Sequence, residues 1–445
     1  MSITKLIVNN FRSIKNLELS LTPENKVICF VGENGSSKTA LMTTLTEAIV
    51  SHSKLRFPNF SRDNGKRFRL LSKNEIQTGE KFYSIELEYK KLKGKNHTFK
   101  KLVVLDKTVD PLIYADVMSG MRLSDGADSE MSSVQKSHAE DDFLFDSVFL
   151  FRPGHRYEKD GMLLDNEGDW DGNLSVARGL NLSIPHPFTV VYSGDGIQTI
   201  ILDMYFDAQV GYTDSVAGFN NITNILNKVT GKDYGDIQIS KSPYRQVISS
   251  TVGLLRDFSQ GELDLLVTIA NIIKQQVFFF ELYTEEQRKT LSVNSLFYVP
   301  GIVLIDEVDL HLHPKAQENY LQVLTSIFPN IQFVVTTHSP FVIRGLPENS
   351  KVINLPSGRM FDENFEAMDI DSITEVIFGY EGGFSESVNV KFSQFKAELI
   401  SEIPNLDLLR ALYEELSTSS SAKDELDLYL ASYAQEELIN SVKGS

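Results

Sequence analysis

The sequence contains one cysteine, Cys29, in 445 residues, so no disulfide can close within it. Cys29 lies in the apolar run Val27-Ile28-Cys29-Phe30-Val31 and reads as a small buried hydrophobe. Nothing in this cysteine usage calls for an oxidising compartment. Long hydrophobic runs are scarce too. The most apolar stretch, around Val277-Phe278-Phe279-Phe280, is bounded by Gln275-Gln276 and Glu281, short of the roughly 20 residues that cross a bilayer. Met1 to Phe11 is too polar for a signal peptide. The expected location is cytoplasmic, with no membrane partner. Positive charge is in deficit: 43 Lys and Arg stand against 60 Asp and Glu, a net charge of −17. That balance argues against a surface given over to nucleic acid, while leaving room for a local basic groove. No internal repeat is visible.

What is present is an ordinary globular composition, 42% hydrophobic and 23% charged, in a length that suits roughly two to four structural units. Ile3 to Val8 and the alternating Leu17, Leu19 and Leu21 predict two strands, and Val27 to Val31 a strand buried on both faces. Ala40 to Val50 reads as a helix. Residues 51–75 are basic, with Arg62, Lys66, Arg67, Arg69 and Lys73. Phe82 to Lys90 and Phe99 to Leu105 flank a turn at Lys93-Gly94-Lys95-Asn96, a hairpin pattern. Further strands are expected at Ser147 to Phe151, Thr189 to Tyr192, Ile302 to Ile305, Ile331 to Thr336 and Lys351 to Asn354. Helices are expected at Ile197 to Val210, from Ser259 to about 283, and at Lys315 to Phe328. From about 385 the pattern is helical, broken at Ser417 to Ser421.

Chemistry enters at Gly32-Glu33-Asn34-Gly35-Ser36-Ser37-Lys38-Thr39, set between a buried strand and a helix. That context is the phosphate-binding loop, whose backbone N–H groups and helix N-terminus attract phosphate oxygens. Lys38 is expected on the β- and γ-phosphates and Thr39 on Mg²⁺. Ser37 stands where the usual pattern has glycine, with less backbone freedom. A second apolar strand, Gly301 to Ile305, ends in Asp306 and Glu307. Asp306 is placed to hold Mg²⁺ through water and Glu307 to polarise an attacking water. His311 and His313 beside Asp309 make an incomplete zinc shell, and Pro314 opening a helix explains the local pattern more simply. His338, after the strand ending at Thr336, is a candidate for γ-phosphate contact. Ser259 fits a helix cap with Glu262 closing a capping box, and that exposed helix start could also receive a phosphate held by a second copy.

These motifs in this order resemble the ABC-type ATPase family, and within it the RecF- and SMC-like branch. The opening Asn10-Phe11-Arg12-Ser13-Ile14 resembles that branch's first strand pair. Gly32 to Thr39 corresponds to the Walker A loop and Ile302 to Glu307 to Walker B. Asp309 corresponds to the D-loop, His338 to the H-loop, and Phe258-Ser259-Gln260-Gly261-Glu262 to the signature, which departs from L-S-G-G-Q at three places. The resemblance implies an α/β fold: an ABC-type P-loop ATPase head with mixed β-sheets, an inserted helical/β region and a helical C-terminal extension. It implies ATP and Mg²⁺ as ligands and a head-to-tail dimer, possible as a unit of larger oligomers. Asn34, Gly35, Ser36, Ser37, Lys38 and Thr39 would hold nucleotide, and Ser259, Gln260 and Gly261 would reach the nucleotide on Lys38 of the partner subunit. Lys38, Glu307 and His338 are the catalytic candidates. Arg12 is a further nucleotide contact, and Gln198 a Q-loop candidate at the metal beside Thr39 and Asp306.

The expected domains are an N-terminal lobe at 1–110, an insert at 111–250, a second ATPase lobe at 251–380 and a helical extension at 381–445 suited to docking a partner. The stretch from Gly301 to Pro314, with Phe328 to Phe333 and Thr336 to Pro340, further resembles the Septu PtuA-like ATPases of bacterial anti-phage defence and their retron-associated relatives; Arg156-Tyr157-Glu158 resembles their insert. That resemblance implies control of a separately encoded HNH nuclease, with nucleic acid met through the complex. Two other readings stay open: a RecF-like repair ATPase clamping DNA through the Arg62 to Lys73 stretch, and an ATP-gated scaffold with little turnover. A fused Toprim nuclease is disfavoured, because Asp369-Ile370-Asp371 is followed by helical rather than alternating β/α sequence.

Overall fold

The computed structural model describes residues 1–56, 72–90, 96–105, 109–114, 130–134, 147–154, 189–190, 197–240, 246–380, 384–401, 403–433 and 436–443. The chain divides into two compact units, Met1–Ile370 and Asp371–Ser445. The first runs through strands β1 (Ser2–Phe11), β2 (Ile14–Ser20) and β3 (Val27–Val31), then helix α1 (Lys38–Arg56). Strands β4 (Phe82–Lys90), β5 (Asn96–Val104), β6 (Glu130–Val134), β7 (Val148–Arg152) and β8 (Thr189–Val190) follow. Helices α2 (Ile197–Gln209) and α3 (Thr213–Thr230) precede three short strands, β9 (Ile237–Ile239), β10 (Val247–Ser249) and β11 (Gly253–Leu254). The unit continues with α4 (Gln260–Leu282), α5 (Glu285–Leu291), β12 (Gly301–Ile305), α6 (Pro314–Ile327), β13 (Ile331–Thr336), α7 (Pro340–Arg344), β14 (Lys351–Asn354) and β15 (Arg359–Phe361).

Three sheets result. An antiparallel one has the order β2-β1-β4-β5-β6, and a small one β11-β10-β9. The central sheet has the order β15-β14-β3-β13-β12-β7-β8, parallel except where β15 pairs with β14. The runs Val27 to Val31, Val148 to Arg152, Gly301 to Ile305 and Ile331 to Thr336 are buried at every position, which is why the first and third read as continuous apolar sequence and the others as nearly so. One face of this sheet, including Ile28, Phe30, Phe149, Phe151, Ile302 and Leu304, shares a core with α1 (Leu41, Leu45, Ile49) and the antiparallel sheet (Leu6, Val8, Ile85, Leu87). The alternation along each strand sends Val303 and Ile305 to the other face.

By length and composition α4 could cross a membrane, contrary to the sequence expectation that no segment comes close; but 83% of its most apolar window is buried inside the unit, as in a core helix. Its internal glutamines explain the misreading. Gln275 exchanges two 3.0 Å hydrogen bonds with the backbone of Phe149, and Gln276 two more with Val299, at 3.1 and 3.2 Å. These polar groups fasten α4 inside the protein and satisfy buried backbone groups of β7 and of the segment before β12.

The hairpin expected at 82–105 is present as β4 and β5. The expected strands near Thr189 and Lys351, and helices from Ile197 and Pro314, also appear. Helix α3, the small sheet and β15 had no counterpart in the sequence expectations. The second unit holds most of α8 (Ile370–Phe378), with α9 (Glu386–Leu399), α10 (Leu406–Leu416), α11 (Ser420–Tyr433) and α12 (Glu436–Lys443), around Phe392, Phe395, Leu409, Leu426 and Leu430. Its break between α10 and α11 falls at the serine-rich segment. The architecture is α/β, with mixed sheets and a helical C-terminal region.

Candidate functional site

The loop between β3 and α1 is shaped by three left-handed residues, Gly32 (φ 138°), Gly35 (φ 84°) and Ser37 (φ 76°). A Cβ on Gly32 would lie 2.2 Å from the Leu355 carbonyl oxygen, so this position admits only glycine. Lys38 is buried at the head of α1. Its ammonium donates to the Gly32 carbonyl (2.8 Å), the Glu33 carbonyl (2.9 Å) and Ser36 Oγ (3.2 Å). Burial pulls the Lys38 pKa below its ordinary value, against the opposing charges of Asp306, Glu307 and Asp309. Asn34, Gly35 and Thr39 are exposed, whereas Ser36 and Ser37 are buried.

At the end of β12, Asp306 is fully buried. One carboxylate oxygen accepts from the Thr336 hydroxyl (2.6 Å) and the other from the Gly154 N–H (3.2 Å). Thr336 Oγ1 in turn accepts the Glu307 N–H at 2.7 Å, so one β13 hydroxyl fixes both acidic residues. Glu307 sits at φ 51°, a left-handed strain of the kind that concentrates at functional sites. The segment after β7 closes over this pair. The Asp306 N–H donates to the Arg152 carbonyl at 2.8 Å, and a Cβ on Gly154 would come within 3.0 Å of both Asp306 Oδ2 and Glu307 Cδ.

Beyond Glu307 the chain is held from two sides. The Thr337 hydroxyl donates to the Asp309 carboxylate, and Gln317 Nε2 donates to the carbonyls of Asp309 (3.2 Å) and Leu312 (2.8 Å). His313 is the N-cap of α6, its Nδ1 accepting the Lys315 N–H at 3.4 Å, with Pro314 in the first turn. His338 is exposed at the end of β13. Burial of part of its ring and the charge of Lys38 lower its pKa, while Asp309, Glu307 and Asp306 act the other way, so these five residues share one electrostatic site.

Ser259 is exposed and caps α4 through a full capping box: its N–H donates to Glu262 Oε2 (2.7 Å), and its Oγ accepts the Glu262 N–H (3.4 Å). Burial opposes the Glu262 charge, but hydrogen bonds from Lys232 Nζ (2.6 Å), the Ser259 backbone and Tyr234 Oη (2.7 Å) outweigh it and bring the carboxyl down to about 2. Gly261 abuts the turn after Asp309; a Cβ there would lie 2.2 Å from the His311 carbonyl oxygen. Gln260 is half-buried in the same first turn. Arg12, at φ 51°, forms an ion pair with the buried carboxylate of Glu75.

The structure thus gathers Lys38, Asp306, Glu307, Asp309 and His338, and sets Gly261 against the segment that follows Asp309. Gln198 lies at the start of α2, its Oε1 accepting the Val247 N–H of β10 at 3.4 Å. β12 pairs with β13 on one side and with β7 on the other, and β8 lies one strand beyond β7. Sequence reasoning gave no site role to Arg152, Gly154, Thr336, Thr337 or Gln317, although Phe151 to Glu158 and Thr336 to Pro340 carried the family resemblance; the short Arg-Pro-Gly segment closing a buried apolar strand is the signal that could have marked the first two. The Arg156-Tyr157-Glu158 segment lies outside the described residues, as does the basic stretch from Arg62 as far as Leu71.

Strand order, loop and carboxylate pair define a P-loop nucleotide-binding head. Parts of the chain are similar in sequence to a retron probable ATPase and to a Septu protein. A family model described as AAA ATPase domain matches residues 1–141, and one described as AAA domain, putative AbiEii toxin, Type IV TA system matches 286–344. The chain is 35% identical over 127 residues to the Retron Vc95 probable ATPase of Vibrio cholerae serotype O1 biovar El Tor, covering 27% of this chain and 23% of that protein. It is 30% identical over 162 residues to Septu protein PtuA of Bacillus mycoides (strain KBAB4), covering 31% and 22%. The matched part therefore spans less than a quarter of those relatives' lengths. Among solved structures, an SmcHead bound to the C-winged helix domain of ScpA is 13% identical with a TM-score of 0.41, over 80% of this chain and 94% of that one. The SMC head domain from Thermotoga maritima gives 0.38 at 13% identity over the same shares. The AAA ATPase domain model and the retron probable ATPase support ATPase activity at the level of the family.

Proposed function

We propose that this chain binds and hydrolyses Mg·ATP at a site completed by a second copy, and that the assembly controls a separately encoded nuclease of the HNH type in a cytoplasmic defence system. The observation that carries the reading is the convergence of Lys38, Asp306, Glu307 and His338 at one end of the parallel strands β3, β12 and β13. The phosphates of ATP lie in the loop from Asn34 to Thr39, against Lys38 and the first N–H groups of α1. The donor set suits Mg²⁺: an exposed Thr39 hydroxyl and a buried Asp306 with both oxygens already oriented. Bound there, Mg²⁺ neutralises phosphate charge. Glu307 takes the proton of the attacking water, and His338 offers a hydrogen bond to the γ-phosphate.

Ser259 and the N–H groups of Gln260 and Gly261 supply the second half of the site to the nucleotide on Lys38 of the partner subunit. The exposure of Ser259 at a helix N-terminus supports this role. Arg12 adds a nucleotide contact, and Gln198 is retained as the Q-loop candidate. The helical unit from Asp371 is the proposed docking surface for the nuclease. Size-exclusion chromatography with light scattering, with and without Mg·ATP, tests the core of this reading. A nucleotide-dependent dimer supports it; a chain that binds no Mg·ATP refutes it.

A further inference from the structure

Ser37 does something a glycine could not. Its Oγ lies 2.7 Å from Ser13 Oγ and accepts the Ser13 N–H at 3.3 Å. Ser13 belongs to the turn between β1 and β2, closed by the Phe11–Ile14 pair. The other turn residue is Arg12, whose N–H donates to the Glu75 carbonyl at 2.8 Å and whose guanidinium is ion-paired with the Glu75 carboxylate. A continuous path therefore runs from the phosphate loop through two hydroxyls to Arg12 and on to Glu75. Ser37 holds a left-handed conformation that is unfavourable for a residue with a Cβ, and its side chain is buried in return for these bonds.

We propose that the Ser13–Ser37 hydroxyl pair is a positioning link: it pre-sets the phosphate loop and fixes the Arg12 turn to it, so that nucleotide occupancy and the placing of Arg12 are coupled. The departure from the usual glycine is then a gain of a bond, and not merely a tolerated strain. This rests on the nucleotide-site reading above.

The test is the dissociation constant of trinitrophenyl-ATP with Mg²⁺, measured on the full chain and on Ser13→Ala, Ser37→Gly, the double variant and Ser13→Thr. Each single change is expected to weaken binding about fivefold, the worth of one ordinary hydrogen bond. The double variant should bind no more weakly than Ser37→Gly alone, because once Ser37 Oγ is gone the Ser13 hydroxyl and N–H have both lost their partner. Ser13→Thr, which keeps the hydroxyl, should restore affinity to near that of the unaltered chain. A serine that only replaces glycine at the cost of strain predicts the opposite for Ser37→Gly, unchanged or tighter binding. That result, or losses that multiply in the double variant, overturns the link while leaving the nucleotide site standing. No binding by the unaltered chain overturns both.

Discussion

Arg152, wholly buried at the end of β7, forms an ion pair with Asp264 in the second turn of α4, while its carbonyl accepts the Asp306 N–H at 2.8 Å. One residue thus joins the acidic end of β12 to the helix that Ser259 caps. Removing one partner strands a charge in the core. Asp264→Ala should lower the unfolding free energy by about 3–5 kcal/mol, read from urea melts. Pairing it with Arg152→Met should recover much of that loss, since neither charge is then left alone. A double variant no more stable than Asp264→Ala argues against a buried pair.

Gly261 has no room for a side chain, because the His311 carbonyl oxygen occupies the place of its Cβ. Gly261→Ala must push apart the start of α4 and the turn after Asp309, at a cost of about 1–3 kcal/mol. Under the composite-site reading it should abolish nucleotide-dependent association while the isolated chain still takes up nucleotide. Association at unaltered affinity contradicts this.

Glu262, held down at about 2 from an ordinary 4.5, adds stability that is complete above about pH 4.5 and disappears as the pH falls towards 2. Glu262→Gln lacks this titration. The gap in melting temperature between the two proteins should therefore be widest near neutrality and close between pH 4.5 and 2. A gap independent of pH would falsify the assignment of the charge-assisted bonds from Lys232 and the Ser259 backbone.

Glu307→Gln removes the proposed base and leaves the ligand-binding groups in place. Turnover should fall by at least about a hundredfold, the usual contribution of a general base, and an ATP-bound oligomer should accumulate on size exclusion. Unchanged turnover and unchanged oligomer would mean hydrolysis is not central.

The sequence made much of this site legible because its strands are buried on both faces and its turns need particular residues. Val27 to Val31 and Gly301 to Ile305 read as continuous apolar runs because each is covered on both sides. The Ser259–Glu262 capping box was visible because both of its bonds are local. Long-range partners were not. Nothing near Thr336 shows that its hydroxyl will orient Asp306, and nothing near Arg152 points to Asp264, because strand neighbours are chosen by topology. The left-handed strain at Glu307 was also hidden, since glutamate does not favour that conformation. Gln275 and Gln276 looked like breaks in an apolar run, whereas each finishes a backbone hydrogen-bond pair inside the core.

The central claim is that Lys38 of one copy and Ser259 of another act on the same nucleotide. Mixing two inactive variants tests it most directly. Lys38→Ala and Ser259→Arg should each lack ATPase activity alone. Their mixture should regain part of it, because the mixed dimer holds one site with both residues intact. A mixture as inactive as its components, although mixed dimers are shown to form, contradicts the account.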